Sequence, residues 1–157
     1  MKYELTNEKI THGGITLYRI RALIAFGDVP AGDFGGYIEN KKNLEQHGDA
    51  WVYGDAWVFD NARVFGNAWV FDDAWVCGDA EVYARTHLLC VGPIGSRSGF
   101  TTFSRAKDNK ICVSCGCFTG DIDKFEAAVK ATHAGTKHEK TYMLAIELAN
   151  AQIEMEE

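Results

Sequence analysis

The sequence predicts a mainly β chain: a parallel β-helix over residues 37–89, an N-terminal β cap over 1–36 and a C-terminal α+β appendage over 90–157. Three observations carry this. Residues 48–83 are six tandem hexapeptides, GDAWVY, GDAWVF, DNARVF, GNAWVF, DDAWVC and GDAEVY, with no insertion or deletion. A fixed short period is the mark of a solenoid, and a period of six points to a parallel β-helix. Within the repeats, Ala50, Ala56, Ala62, Ala68, Ala74 and Ala80 hold one position, and Val52, Val58, Val64, Val70, Val76 and Val82 hold another two residues on. Side chains two apart on a strand share a face, so Ala and Val point inward and the residue between them points out. The flanks, finally, lack the repeat and carry other patterns.

In chain order, Ile15–Ala25 (ITLYRIRALIA) is β-prone and partly alternating, which predicts a strand or hairpin. Gly27–Gly36 (GDVPAGDFGG) is loop punctuation. The hexapeptide phase extends back to Ile38 and Leu44 in the Ala position and forward to Leu88 in the Val position. The Gly/Asp–Asp/Asn pair before each Ala is turn chemistry, because these residues tolerate positive φ. The period fails after Leu89. GPIGSRSG reads as a loop, and FTTFSRA, KDNK and ICVSCGCF as a hairpin with strands near Phe100–Ala106 and Ile111–Phe118. A helix is predicted over Ile122–His133, with Asp121 as N-cap and Gly135 as stop. A second is predicted over Glu139–Met155, with Tyr142, Ala145, Ile146, Ala149 and Ile153 on one face.

Composition narrows the function. A net charge of −6 disfavours a long nucleic acid as partner. The charge is uneven: residues 84–118 hold five basic side chains (Arg85, Arg97, Arg105, Lys107, Lys110) against the single acidic Asp108, a local island suited to a small anion. Five cysteines make an odd count, which argues against a closed disulfide framework and for a reducing, cytoplasmic setting. No apolar run is long enough to span a membrane, so no membrane partner is expected.

The aromatic hexapeptides and their lead-in resemble hexapeptide-repeat proteins of bacteria and phages. The resemblance implies a left-handed parallel β-helix with three hexapeptides per triangular coil, hence about three coils, with residue i stacked on residue i+18. Trp51 then lies under Trp69, Trp57 under Trp75, and Arg63 under Glu81. Outward aromatic ladders on this scale mark an interface or a ligand groove. Trp51, Trp57, Trp69, Trp75, Tyr53, Phe59 and Phe71 are the candidate stacking and interface residues. The family commonly assembles as a homotrimer, so the expected partners are further copies of the chain and a small nucleotide-like ligand.

The Gly/Ser-rich loop is the leading ligand candidate: Gly95, Ser96, Arg97 and Ser98, followed by Thr101, Thr102 and Arg105. Consecutive small residues let backbone N–H groups close on an oxyanion, hydroxyls donate, and Arg97 can fork two phosphate oxygens. The loop is neither a Walker loop nor a dinucleotide fingerprint. Cys115, Cys117, His133 and His138, with Cys112, invite a zinc reading; on one strand Cys115 and Cys117 share a face and Cys112 takes the other, a poor knuckle, so buried core thiols are the competing reading. No cofactor is expected. The sequence-level function is a non-enzymatic homotrimeric protein that sequesters a nucleotide or cyclic nucleotide without cleaving it. In a phage, by analogy, such a sponge would act in the host cytoplasm and blunt host immune signalling. The alternatives are a hexapeptide acyltransferase with His87 or His47 as general base, and a structural trimer that displays its appendage to a protein partner.

Overall fold

A computed structural model gives the fold; the structure describes residues 1–116, 118–153 and 155. The chain opens with an antiparallel hairpin, β1 (Tyr3–His12) and β2 (Ile15–Ala22), closed by Gly13 and Gly14 at φ of 56° and 84°. Strand β3 (Phe34–Ile38) pairs antiparallel with β2. Six two-residue strands follow: β4 (Trp51–Val52), β5 (Trp57–Val58), β6 (Arg63–Val64), β7 (Trp69–Val70), β8 (Trp75–Val76) and β9 (Glu81–Val82). They pair in parallel at an offset of 18 residues, Trp51 with Trp69, Trp57 with Trp75 and Arg63 with Glu81. Every repeat Ala is fully buried and every repeat Val is at most 1% exposed, so the inward columns are those read from the sequence.

The expected regular β-helix of about three coils is corrected. Six hexapeptides at an 18-residue offset supply each strand with one repeat partner, so β4–β7 and β6–β9 remain isolated two-stranded pairs. The third pair, β5–β8, is continued through β3 into the N-terminal hairpin, giving a five-stranded mixed sheet, β1-β2-β3-β5-β8. Strands stay two residues long because the chain turns at the first position of every hexapeptide. Gly48, Gly54, Asp60, Gly66, Asp72 and Gly78 all have φ between 58° and 76°. Such left-handed backbone cannot continue a strand.

The phase of the lead-in is corrected too. Ile38 pairs with Val58 and Leu44 bridges to Val64, which puts both in the Val column at an offset of 20 rather than in the Ala column. The two extra residues fall between Leu44 and Val52. There the Gln46 carboxamide oxygen accepts from the backbone N–H groups of Lys2 (2.8 Å) and Tyr3 (3.2 Å), tying the start of β1 to the first repeat corner.

The appendage holds more than a hairpin. Strands β10 (Leu88–Ile94), β11 (Gly99–Ala106), β12 (Lys110–Cys115) and β13 (Phe118–Asp121) form an antiparallel sheet in that order. Half of the predicted GPIGSRSG loop is therefore strand. Helix α1 (Ile122–His133) matches its predicted span, and the Asp121 carboxylate accepts from Lys124 N. Helix α2 (Lys137–Gln152) starts earlier than expected because Thr136 caps it, and ends at Ile153, whose N–H bonds to Ala149 O. Two cores result. One holds the repeat Ala and Val columns with Tyr3, Ile20 and Trp51; the other packs Phe103, Ile111 and Val113 of the sheet against Phe125, Val129, Ile146 and Ala149. No helix among the described residues is long and apolar enough to cross a membrane.

Candidate functional site

The β10–β11 turn, Gly95–Ser98, leans on the helical pair. Gly95 has φ 82°, and a Cβ there would collide with the Tyr142 hydroxyl, so the turn requires glycine for both backbone and space. Behind it opens a cleft of ≈ 330 Å³. Ser96, Arg97, Phe100, Cys115 and Phe118 line it from the sheet side, with Phe125, Val129 and His133 of α1 and Tyr142 of α2. Its surface is mainly apolar and aromatic, with a few convergent polar groups, which is the usual make-up of a small-molecule site.

The polar groups form a short chain. Thr101 Oγ1 donates to Cys115 Sγ at 3.2 Å, and Cys115 Sγ in turn donates to Tyr142 Oη at 3.8 Å. Burial pushes the Tyr142 phenol up to about 12, and the neighbouring Cys115 adds to the shift. Tyr142 is thus a neutral hydroxyl at physiological pH, able to donate. The His133 ring lies 5.6 Å from that of Tyr142 and 5.7 Å from that of His138. Arg97 and Ser96 are exposed at the mouth. The arrangement can sandwich a flat ring between aromatic walls while its anionic end meets the guanidinium and the turn.

The predicted ligand residues are brought together only in part. Gly95, Ser96, Arg97 and Ser98 belong to the turn at the cleft. Thr101, Thr102 and Arg105 are all buried on β11; Thr101 reaches the cleft through Cys115, and Thr102 and Arg105 contact the repeats. Thr102 Oγ1 accepts from the backbone N–H of Trp75 at 3.1 Å. Arg105 sits over the Tyr83 ring, 5.1 Å from its centroid, with its Nη1 3.9 Å from Glu81, which also meets Arg63 at 3.7 Å. Alternation along β11 separates Thr102, which faces the repeats, from Thr101, which faces the helical side; Arg105 shares the register of Thr101 but reaches Glu81 and Tyr83 near the end of the strand.

The aromatic ladders are less bare than expected. Trp51 is buried, with Tyr3 and Phe26 edge-on at 6.2 and 5.2 Å, so it cannot serve an interface. Trp57 and Trp75 stack, and the His12 ring at the hairpin tip stands edge-on 5.1 Å from each. Trp69, Tyr53 and Phe59 are half-buried, and Phe71 is 44% exposed.

The histidine and metal candidates also resolve. His87 is buried, its Nδ1 accepts from Tyr83 N at 3.2 Å, and it does not open onto a groove. His47 is exposed. Cys117 lies outside the described residues, and among the described residues no group of three or more His, Cys, Asp or Glu can hold a metal ion. Cys115 and His133 line the cleft, whereas Cys112 faces the repeats, its Sγ 3.7 Å from where a Cβ on Gly78 would lie. Sequence reasoning missed Phe100, Phe118, Phe125 and Tyr142 as site residues. Tyr142 was legible only as one member of a buried helix face.

A scan against protein-family models and a search of curated proteins find no match to this chain.

Proposed function

We propose that the protein binds a small phosphate-bearing aromatic molecule, a nucleotide or cyclic nucleotide, in the cleft between the Gly95–Ser98 turn and the two helices, and that it holds this ligand without cleaving it. One observation carries the reading: Ser96 and Arg97 line the same cleft as Phe100, Phe118 and Tyr142. Rings stack on the aromatic walls, worth about 1–3 kcal/mol per base in comparable sites. The phosphate meets Arg97, the Ser96 hydroxyl and the backbone of the turn. The hexapeptide resemblance adds a homotrimer, with Phe71 and Phe59 as its contact residues, and a cytoplasmic sponge, in a phage setting a host-directed one, as its context. The acyltransferase alternative loses the better of its two bases, since His87 is turned into the fold.

Calorimetry with a panel of mono-, di- and cyclic nucleotides tests the reading. Binding that is lost in Arg97→Ala, with the ligand recovered intact after heat denaturation, supports it. Absence of binding across the panel refutes the nucleotide assignment, and recovery of a cleaved or acylated product refutes sequestration.

A further inference from the structure

A second recess lies away from the cleft, at one corner of the repeats. Asp49 and Asn67, 18 residues apart, occupy the same corner of the paired β4 and β7 layers, and Arg85, in the turn after β9, lines the same space. The loop after β2 closes over it: Gly27, at φ 50°, packs so near that a Cβ there would lie 3.4 Å from Asp49 Cβ, and Asp28 follows. Trp69 and Tyr83 line the same space, ≈ 540 Å³ against ≈ 330 Å³ for the cleft. Beside it the Lys2 ammonium donates to Gly48 O at 3.2 Å and Ala50 O at 2.8 Å and feels the Asp49 charge. Arg85 lays its guanidinium over Trp69, 3.4 Å from the ring centroid.

We infer that this corner is a second ligand site, for a planar nitrogen heterocycle that presents a ring N–H beside an exocyclic amine, as guanine does. Three features select that class. The Trp69 face already holds a flat, delocalised nitrogen group, the chain's own guanidinium, and a ring of similar thickness can slide between the two and be stacked on both sides. The Asp28 and Asp49 carboxylates and the Asn67 amide oxygen line the recess as acceptors, which favours a ligand that presents N–H donors. A carboxylate accepts from two adjacent N–H groups in parallel, and the Asn67 amide can serve both a donor and an acceptor. The Asp28 and Arg85 charges both act on the Tyr53 hydroxyl, in opposite senses, so they converge on one spot. This site is independent of the proposed nucleotide cleft.

The test is calorimetry of the intact protein with guanosine, inosine, adenosine and free arginine, none of which carries a phosphate. Guanosine is expected to bind, with inosine, which lacks the exocyclic amine, at least tenfold weaker. The surface changes Asp49→Asn and Asp28→Asn are expected to weaken guanosine at least tenfold together, and Arg97→Ala in the cleft to leave it unchanged. No heat with guanosine at millimolar concentration overturns the inference, as does binding indifferent to the two Asp changes. Arginine binding as tightly as guanosine, with the same sensitivity, overturns the heterocycle assignment. Guanosine binding lost in Arg97→Ala would move the ligand to the cleft and also overturn it.

Discussion

The indole rings of Trp57 and Trp75 lie 4.2 Å apart and 6° from parallel, one repeat layer above the other. The 18-residue backbone register imposes this contact, and His12 at the tip of the N-terminal hairpin closes it from the side. Trp75→Ala should therefore destabilise the fold by about 2–3 kcal/mol, through lost apolar burial and lost stacking. His12→Ala should cost about 0.5–1 kcal/mol, on the scale of an edge-to-face pair. Urea denaturation checks both; equal midpoints for Trp75→Ala and the parent would mean that the stack contributes nothing.

Corner positions should divide by residue type. At Gly66 an added Cβ would lie 2.8 Å from the Tyr83 carbonyl oxygen at φ 64°, so Gly66→Ala should cost more than the ~1–2 kcal/mol of the left-handed backbone alone. Asp72 already sits at φ 59°, and Asp72→Gly should be neutral or stabilising by up to about 1 kcal/mol. Thermal melts of the two variants that shift in the same direction would refute the corner argument.

Alkaline titration should show two opposing trends. Burial lowers the Lys2 amine from 10.5 to about 8, so below pH 8 the folded state carries the full penalty of a desolvated charge. Between 8 and 10.5 the unfolded chain holds more protons, and stability rises with pH. Burial raises the Cys77 thiol from 9.0 to about 12, which reverses the sign: its stabilisation is complete below pH 9 and is lost as pH climbs toward 12. Stability should rise from pH 8 to 9 and then turn over, because burial also raises the Cys90 and Cys112 thiols and the Tyr3 and Tyr142 phenols, and their losses join that of Cys77 to outweigh the Lys2 gain. Lys2→Met should remove the rise, and Cys77→Ala should soften the fall. Denaturant midpoints measured from pH 7 to 11 decide this.

Assembly should depend on the exposed rings. Phe71→Arg should convert a trimer to smaller species, while Arg63→Ala should not, because the Arg63–Glu81 pair is half in water and worth ~0–1 kcal/mol. Sedimentation of the parent as a folded monomer at micromolar concentration would refute the trimer outright.

Arg97→Ala should leave stability within about 0.5 kcal/mol of the parent, since Arg97 is exposed on a turn. Its phosphate contact should be worth about 1.5–3 kcal/mol in affinity. Unchanged nucleotide affinity would move the anion elsewhere.

The repeat columns were legible because a six-residue period dictates which side chains face inward; the 18-residue pairing of Trp51 with Trp69 and Trp57 with Trp75 was expected from the family resemblance, which stacks three hexapeptides per layer. The same regularity misled at its edges. Nothing local marks the two-residue expansion between Leu44 and Val52, whose purpose, the Gln46 clasp on Lys2 and Tyr3, joins residues more than forty positions apart. Nor does the sequence say which face a non-repetitive hairpin will cover, so Trp51 read as an outward ring although Tyr3 and Phe26 enclose it. At the site, the Gly95–Ser98 turn was readable from composition. The cleft was not, because it exists only where that turn meets Tyr142 of α2. Period alone likewise could not distinguish a continuous β-helix from short parallel pairs tied into antiparallel sheets.

The alternation along β11 has a consequence for how the molecule can be divided. Thr102 takes the Trp75 amide, the Ala106 backbone bridges to Ala80, and Lys107 N donates to the Asp79 carbonyl at 3.2 Å. Thr101, the neighbour of Thr102, bonds into the cleft. One strand is therefore both the lid on the last repeat layer and a wall of the cleft. The appendage is not a tag that evolution or an engineer can exchange at residue 90. Removing it would strip the end of the repeats of its hydrogen-bond partners, and grafting it elsewhere would leave a polar strand face without a surface to lie on.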